Sequence, residues 1–156
     1  MPITMNDLTI SPQDINFETL LAEWTWAMPE PMRPVLLTAM GDAFPEALQS
    51  SLKSLQGEKE LADNVKVAPD HCFVGLDAYQ KVIASGVDVV LLASPPGFRP
   101  VHLKAAVEAG KHIFCEKPVA TDSPGVRSVL ASAKLAKEKS LSLVTGFCWR
   151  YEGARR

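Results

Sequence analysis

Cysteine and metal-ligand patterns are scarce in this chain of 156 residues. Its three cysteines, Cys72, Cys115 and Cys148, form no C-x-x-C pair. That count argues against a disulfide framework or a zinc site and fits a reducing cytoplasm. We expect the cysteines to be small buried hydrophobic residues. The three histidines are scattered without the spacing of metal ligands, so no metal site is expected.

Basic charge and long hydrophobic runs are also missing. Sixteen Lys and Arg oppose eighteen Asp and Glu, which gives a net charge of −2. Such a chain has no basic face to neutralise a run of phosphates, so nucleic acid is not an expected partner. No basic start followed by an apolar run opens the sequence. We therefore expect no membrane partner and a cytoplasmic location.

The amino-terminal part differs in charge from the rest. Every charged residue before Arg33 is acidic, and Pro29, Pro31 and Pro34 surround that position. Prolines at this density favour a rigid, non-helical connection. We predict an unrelated segment over residues 1–33 and one partial domain over residues 34–156, since the length suits about one domain of roughly 100–200 residues.

From residue 34 onward, short apolar runs alternate with helical patterns. The predicted strands are 35–40, 72–74, 87–93, 112–115 and 141–145. Asp77 is one predicted helix N-cap, either Asp122 or Ser123 is another, and Gly110 is predicted to follow a helix. The fourth helix is expected to bury Val126, Val129, Leu130 and Ala133. Alternation of this kind indicates an α/β fold with a doubly wound, Rossmann-like parallel sheet and helices on both faces.

Ligands of a doubly wound sheet bind beyond the carboxyl ends of its strands. The informative residues are therefore those that follow the predicted strands: Asp42, 94–97, 116–118 and 146–150. Arg99 and His102 fall close to the second of these loops, but a solvated helix start explains them equally well.

The stretch Ala109–Pro118 reads AGKHIFCEKP. It closely resembles the A-G-K-H-x-x-x-E-K-P signature of the Gfo/Idh/MocA oxidoreductases. The strand at 87–90 and the Ser94-Pro95-Pro96 turn match the segment that precedes this signature in the family. The resemblance covers roughly residues 34–151 and is strongest from 87 to 120.

The resemblance implies that NAD or NADP is bound and that hydride passes between a sugar or polyol and the nicotinamide. Lys117 would be the catalytic lysine, reaching the nicotinamide ribose and the substrate hydroxyl, because an ammonium stabilises developing alkoxide charge. Glu116 and Pro118 would fix its backbone, and a cis peptide before Pro118 is expected.

Further cofactor contacts are implied by the same resemblance. Ser94, Pro95 and Pro96 would pack on the nicotinamide and its ribose. The turn Trp149-Arg150 would lie against the cofactor or its substrate. Asp42 would accept the adenosine ribose hydroxyls and so favour NAD over NADP. A homo-oligomer is left open.

The departures from the family are equally informative. None of the nine glycines belongs to a G-x-G-x-x-G motif, so the phosphate-binding turn and the first, central strand are expected to be missing and the sheet incomplete. The chain ends at Arg156, about where the family's second domain would begin. We expect weak cofactor binding and no activity of this chain alone. The alternative is a non-catalytic fragment or interaction module.

The first 44 residues resemble a second family. The elements Glu23-Trp24-Thr25-Trp26 and Gly41-Asp42-Ala43-Phe44 are similar to the opening of immunity-type domains of the type VI secretion class. This resemblance would make the chain a fusion.

For the sheet, we predict that the strand at 35–40 closes the gap left by the missing strand and pairs in parallel with the strand at 87–93. The reason is that unpaired interior backbone groups each cost about 1–3 kcal/mol.

Overall fold

The structure is a computed structural model, and it describes residues 35–147. The predicted boundary after residue 33, the immunity-type resemblance and the residues Cys148, Trp149 and Arg150 lie wholly or largely outside the described residues. They stay predictions.

Strands and helices alternate along the described residues, as the sequence predicts. The strands are β1 (Met40–Asp42), β2 (Cys72–Val74), β3 (Val89–Leu92), β4 (His112–Cys115) and β5 (Leu143–Thr145). The helices are α1 (Pro45–Gly57), α2 (Ala78–Ala84), α3 (Arg99–Glu108) and α4 (Ser123–Glu138), with short 3-10 turns at Ala62–Asn64 and Pro69–His71.

The strands form two small parallel sheets within the described residues. One has the order β1-β2 and the other the order β3-β4-β5. Parallel strands joined by helices are the pattern of a Rossmann-like fold, so the predicted fold class is confirmed. The carboxyl ends of β3, β4 and β5 meet at one edge of the larger sheet.

The predicted pairing of the first strand is wrong. β1 pairs with β2, with Met40 opposite Cys72, and no ladder joins it to β3. Helix α2 connects the two sheets instead. A Cβ on Gly41 would lie 2.9 Å from Cγ2 of Val82, and Ile83 of the same helix packs in one core cluster with Val90.

The edge of β3 that faces away from β4 is not a dry interior. Bonds from Glu116 N to Leu92 O and from His112 N to Asp88 O turn alternate residues of β3 toward β4, so Val89 and Leu91 direct their backbone groups to the other side. These two residues are only half-buried, and Gly41 of β1 is exposed. Groups that reach water do not carry the penalty of buried unpaired ones.

The start of the first strand is displaced from its predicted position at 35–40. Leu37 forms one isolated parallel bridge with Val65, and regular pairing begins only at Met40. Between them, Nδ1 of His71 lies 3.0 Å from the carbonyl oxygen of Thr38. The imidazole therefore takes the place of a ladder partner at this point.

Helix α4 is turned relative to its predicted orientation. Val126 and Leu130 are exposed at 45% and 65%, whereas Ser132 and Ala136 are buried. Ala136 belongs to the same cluster as Ala106 and Val107 of α3, and small residues permit a close approach of two helices. Val129, as predicted, and Leu135 also pack against this cluster, so the prediction is wrong for Val126 and Leu130 only.

All three helix ends lie at their predicted positions. Oδ1 of Asp122 accepts a hydrogen bond from Gly125 N at 2.7 Å, and Gly110 follows α3 with φ +74°. Asp77 makes no capping bond. Its carboxylate pairs with Lys81 at 2.9 Å, which lowers the pKa of Asp77.

Two apolar clusters stabilise the described residues. The larger one joins β3, β4 and the helices α2, α3 and α4, and Cys115 at its centre is fully buried as predicted. The smaller one contains Leu37, Leu55, Leu61 and Val65 beneath α1. Across residues 35–147, none of the helices has the length and apolar character needed to cross a membrane.

Candidate functional site

The loops that follow β3 and β4 are fastened to each other by Arg99. Its Nε donates to Ser94 O at 2.6 Å, and its Nη1 donates to Glu116 O at 2.8 Å and to Pro118 O at 2.6 Å. Arg99 is only 6% exposed. A buried guanidinium needs such partners, and hydrogen bonds from an ionised donor are stronger than neutral ones.

Arg99 was not singled out by the sequence as a site residue. A solvated helix start described it equally well, yet the side chain turns inward and joins Ser94 to Glu116 and Pro118, which belong to two different loops. The one available signal was its position at the first turn of α3, directly after the Ser94-Pro95-Pro96 turn. Only the packing of α3 against β4 decides its direction.

Glu116 has a carboxylate oxygen that is ready to accept a hydrogen bond. Its Oε2 accepts from the backbone N–H of Lys117 at 3.2 Å, while Oε1 is buried without a partner among residues 35–147. The carboxylate lies against Gly146, at the end of β5. A buried acceptor without a donor is costly in a protein interior, so this oxygen is a natural contact for a ligand hydroxyl.

Lys117 stands exposed beside Glu116. The peptide bond from Lys117 to Pro118 is cis, which confirms that expectation from the sequence. Arg99 holds the carbonyls on both sides of Lys117, at Glu116 and Pro118. The backbone of this lysine is therefore fixed while its ammonium remains accessible to a bound molecule.

Ser94 is held through its hydroxyl as well as its carbonyl. The hydroxyl Oγ lies 3.1 Å from Nδ1 of His102, whose ring stacks on Tyr79 at a centroid distance of 4.2 Å. Burial lowers the pKa of His102, so the imidazole is neutral near pH 7. In the tautomer that carries its proton on Nε2, Nδ1 accepts from the Ser94 hydroxyl, and the hydroxyl oxygen then keeps its lone pairs for a ligand.

The other predicted cofactor residues of the β3 loop, Pro95 and Pro96, follow Ser94 directly. Pro95 is exposed and Pro96 is half-buried. They line the same loop and stay predicted contacts. Cys115 sits beneath the loops, but burial raises the pKa of its thiol and makes it an unsuitable nucleophile.

Asp42 lies at the carboxyl end of β1, in the other sheet. Its Oδ1 accepts a hydrogen bond from Phe44 N at 2.8 Å and so supports the turn into α1. This local role leaves Oδ2 for a ligand. Asp42 belongs to the other sheet, whereas Arg99 joins the two loops that carry Ser94, Glu116 and Lys117.

Among residues 35–147, His, Cys, Asp and Glu side chains form no group of three that could hold a metal ion.

The chain is similar in sequence to curated inositol dehydrogenases. Inositol 2-dehydrogenase of Rhizobium meliloti is 28% identical over 116 residues, which are 74% of this chain and 29% of that protein. An inositol 2-dehydrogenase/D-chiro-inositol 3-dehydrogenase of Shouchella clausii is 41% identical over 71 residues, 46% of this chain and 20% of that protein. The chain thus spans less than a third of the length of these curated relatives.

A solved structure shares the fold. Scyllo-inositol dehydrogenase from Lactobacillus casei, with bound cofactor NAD(H) and scyllo-inositol, superposes with a TM-score of 0.59 at 18% identity over 90% of this chain and 36% of that one.

The fold and the loops beyond its strands define a Rossmann-type domain. Residues 45–147 match the family model described as the GFO_IDH_MocA oxidoreductase family, NAD-binding Rossmann fold. The chain belongs to this Gfo/Idh/MocA family, as the AGKHIFCEKP stretch indicates.

Proposed function

We propose that the chain binds a nicotinamide dinucleotide as the nucleotide-binding part of an NAD(P)-dependent oxidoreductase that acts on a sugar or polyol. This proposal rests on one observation: the guanidinium of Arg99 holds together the two loops that carry Ser94, Glu116 and Lys117. The polyol class is supported by the names of the relatives, which are inositol dehydrogenases.

The polar groups of these loops suit the nicotinamide ribose. The buried Oε1 of Glu116 needs a donor, and a ribose hydroxyl would supply one. Ser94 offers hydroxyl lone pairs, and Pro95 and Pro96 offer an apolar surface beside them. The cofactor, when bound, supplies the carbon that accepts or donates the hydride.

Lys117 is proposed as the catalytic residue. Its ammonium would lie between the ribose and the substrate oxygen, where it would stabilise the negative charge that develops on that oxygen. Trp149 and Arg150, which follow β5 in sequence, are proposed to lie against the cofactor or its substrate.

Asp42 is proposed to bind the adenosine ribose through Oδ2 and thereby to favour NAD over NADP. A carboxylate accepts ribose hydroxyls but repels a 2′-phosphate. Because the sequence has no G-x-G-x-x-G turn, the pyrophosphate lacks its usual cluster of backbone donors. We therefore expect a dissociation constant in the high-micromolar range or weaker.

Calorimetric titration of the full chain with NAD and with NADP tests this proposal. Lys117→Ala is expected to weaken NAD binding by about tenfold, the scale of one lost charged hydrogen bond. Lys104→Ala is the matched control, because Lys104 is an exposed lysine of α3 whose only described ion pair is the loose one with Glu108 at 3.8 Å. It should leave the affinity unchanged.

Asp42→Ala should reduce the preference for NAD over NADP. A folded chain that shows no saturable binding of either nucleotide at millimolar concentration would instead support the non-catalytic alternative.

A further inference from the structure

The ladder between β3 and β4 ends where the candidate site begins. Its last bond runs from Glu116 N to Leu92 O at 3.1 Å. Beyond this bond the two strands continue into separate loops. Backbone pairing therefore no longer fixes the distance between Ser94 and Lys117. Some other interaction has to set that distance.

Arg99 supplies the interaction. Three hydrogen bonds of 2.6–2.8 Å connect its guanidinium to one carbonyl of the β3 loop and two carbonyls of the β4 loop. All three acceptors are backbone atoms. The bonds therefore fix the loop backbones and leave the side chains of Ser94, Glu116 and Lys117 available.

We propose that Arg99 is a positioning residue that sets the spacing of the two loops and thereby the affinity for the nicotinamide half of the cofactor. The inference rests on the proposed function, since it concerns the same site. Arg99 itself is buried, so it would act on the cofactor only through the residues that it holds.

The chemistry of the guanidinium explains why arginine fits this position. Its planar fork directs several N–H groups at fixed angles, so carbonyls from two segments are held in one geometry. A lysine ammonium carries the same charge on a flexible stem without the fixed fork. Arg99→Lys should keep the buried charge but hold the loops less firmly, and Arg99→Met should release them.

Nicotinamide mononucleotide is the appropriate probe, because it presents the nicotinamide ribose without the adenosine half. Its affinity for the full chain is measured by NMR titration in the wild type, Arg99→Lys, Arg99→Met and Arg127→Met. Arg127 is an exposed arginine of α4 and serves as the matched control. The free energy of unfolding of each variant is measured in urea.

We expect Arg99→Met to weaken mononucleotide binding by about tenfold or more, since small misplacements of binding groups carry penalties of this size. Arg99→Lys should recover part of the affinity, and Arg127→Met should match the wild type. If Arg99→Met does not fold, Arg99→Lys provides the test instead. Folded Arg99→Lys should then bind the mononucleotide more weakly than the wild type does.

Two results would overturn the inference while leaving the proposed function standing. One is wild-type affinity in a folded Arg99 variant. The other is an equal loss of affinity in Arg99→Lys and Arg99→Met that is explained entirely by the fraction of unfolded protein in each sample. A folded wild-type chain that binds neither the mononucleotide nor NAD would refute the proposed function itself.

Discussion

The carboxylate of Glu116 occupies the space in which a side chain on residue 146 would stand. A Cβ on Gly146 would lie 2.6 Å from Oε2 and 2.9 Å from Oε1 of Glu116. Real Cβ atoms do not approach oxygen this closely, so the end of β5 must carry glycine if Glu116 is to keep its position. The contact links the loop after β4 to the loop after β5.

Gly146→Ala is expected to destabilise the protein by about 1 kcal/mol, the low end of overpacking penalties, because the added methyl group displaces only the end of the flexible Glu116 side chain. Urea unfolding measures the change. Gly57→Ala is the control: a Cβ there meets nothing within 4 Å, and we expect no loss of stability. The penalty should shrink in a Glu116→Ala background. An equal penalty with and without the Glu116 carboxylate would contradict the assigned contact.

Backbone hydrogen exchange should differ between alternate residues of β3. Val90 and Leu92 direct their N–H groups into the ladder with β4, whereas Val89 and Leu91 direct theirs toward the side without a strand partner among the described residues. We expect the amides of Val89 and Leu91 to exchange faster under native conditions. NMR exchange rates measure this. Equal, strong protection of all four amides would show that another segment completes the sheet at β3.

His102 should make stability depend on pH in the acidic range. Burial holds its pKa below the ordinary value of 6.5, so the unfolded chain binds a proton more readily than the folded one. The contribution of His102 is therefore fully present above about pH 6.5 and is lost as the pH falls toward the lower pKa of the folded state.

Urea unfolding at several pH values between 5 and 8 measures this dependence. His102→Gln keeps a hydrogen-bonding group beside Ser94 but removes the titration, so its stability should vary less with pH. An identical pH dependence in the variant and the wild type would assign the effect to another group.

The local elements of this protein could be predicted closely from the sequence. β2 and β4 have their predicted bounds, Asp122 caps α4, and Gly110 ends α3 with a positive φ. Each depends on neighbouring residues alone: a short apolar run, a side-chain oxygen near a free N–H, or a residue without a Cβ. The loop positions of Ser94, Glu116 and Lys117 also follow from where the strands end.

Tertiary structure decided what depends on distant packing. The predicted partner of β1 was wrong, and so was part of the predicted buried face of α4. The inward direction of Arg99 was not predicted. Each of these features depends on segments that are far apart in sequence. Val82 and Ile83 of α2 take the position between the sheets, and Ala136 brings α4 onto α3. The sequence determined which residues follow the strands. Folding determined that the buried guanidinium of Arg99 holds the loops after β3 and β4 together. Only the packed helix α3 can direct Arg99 to carbonyls of both loops.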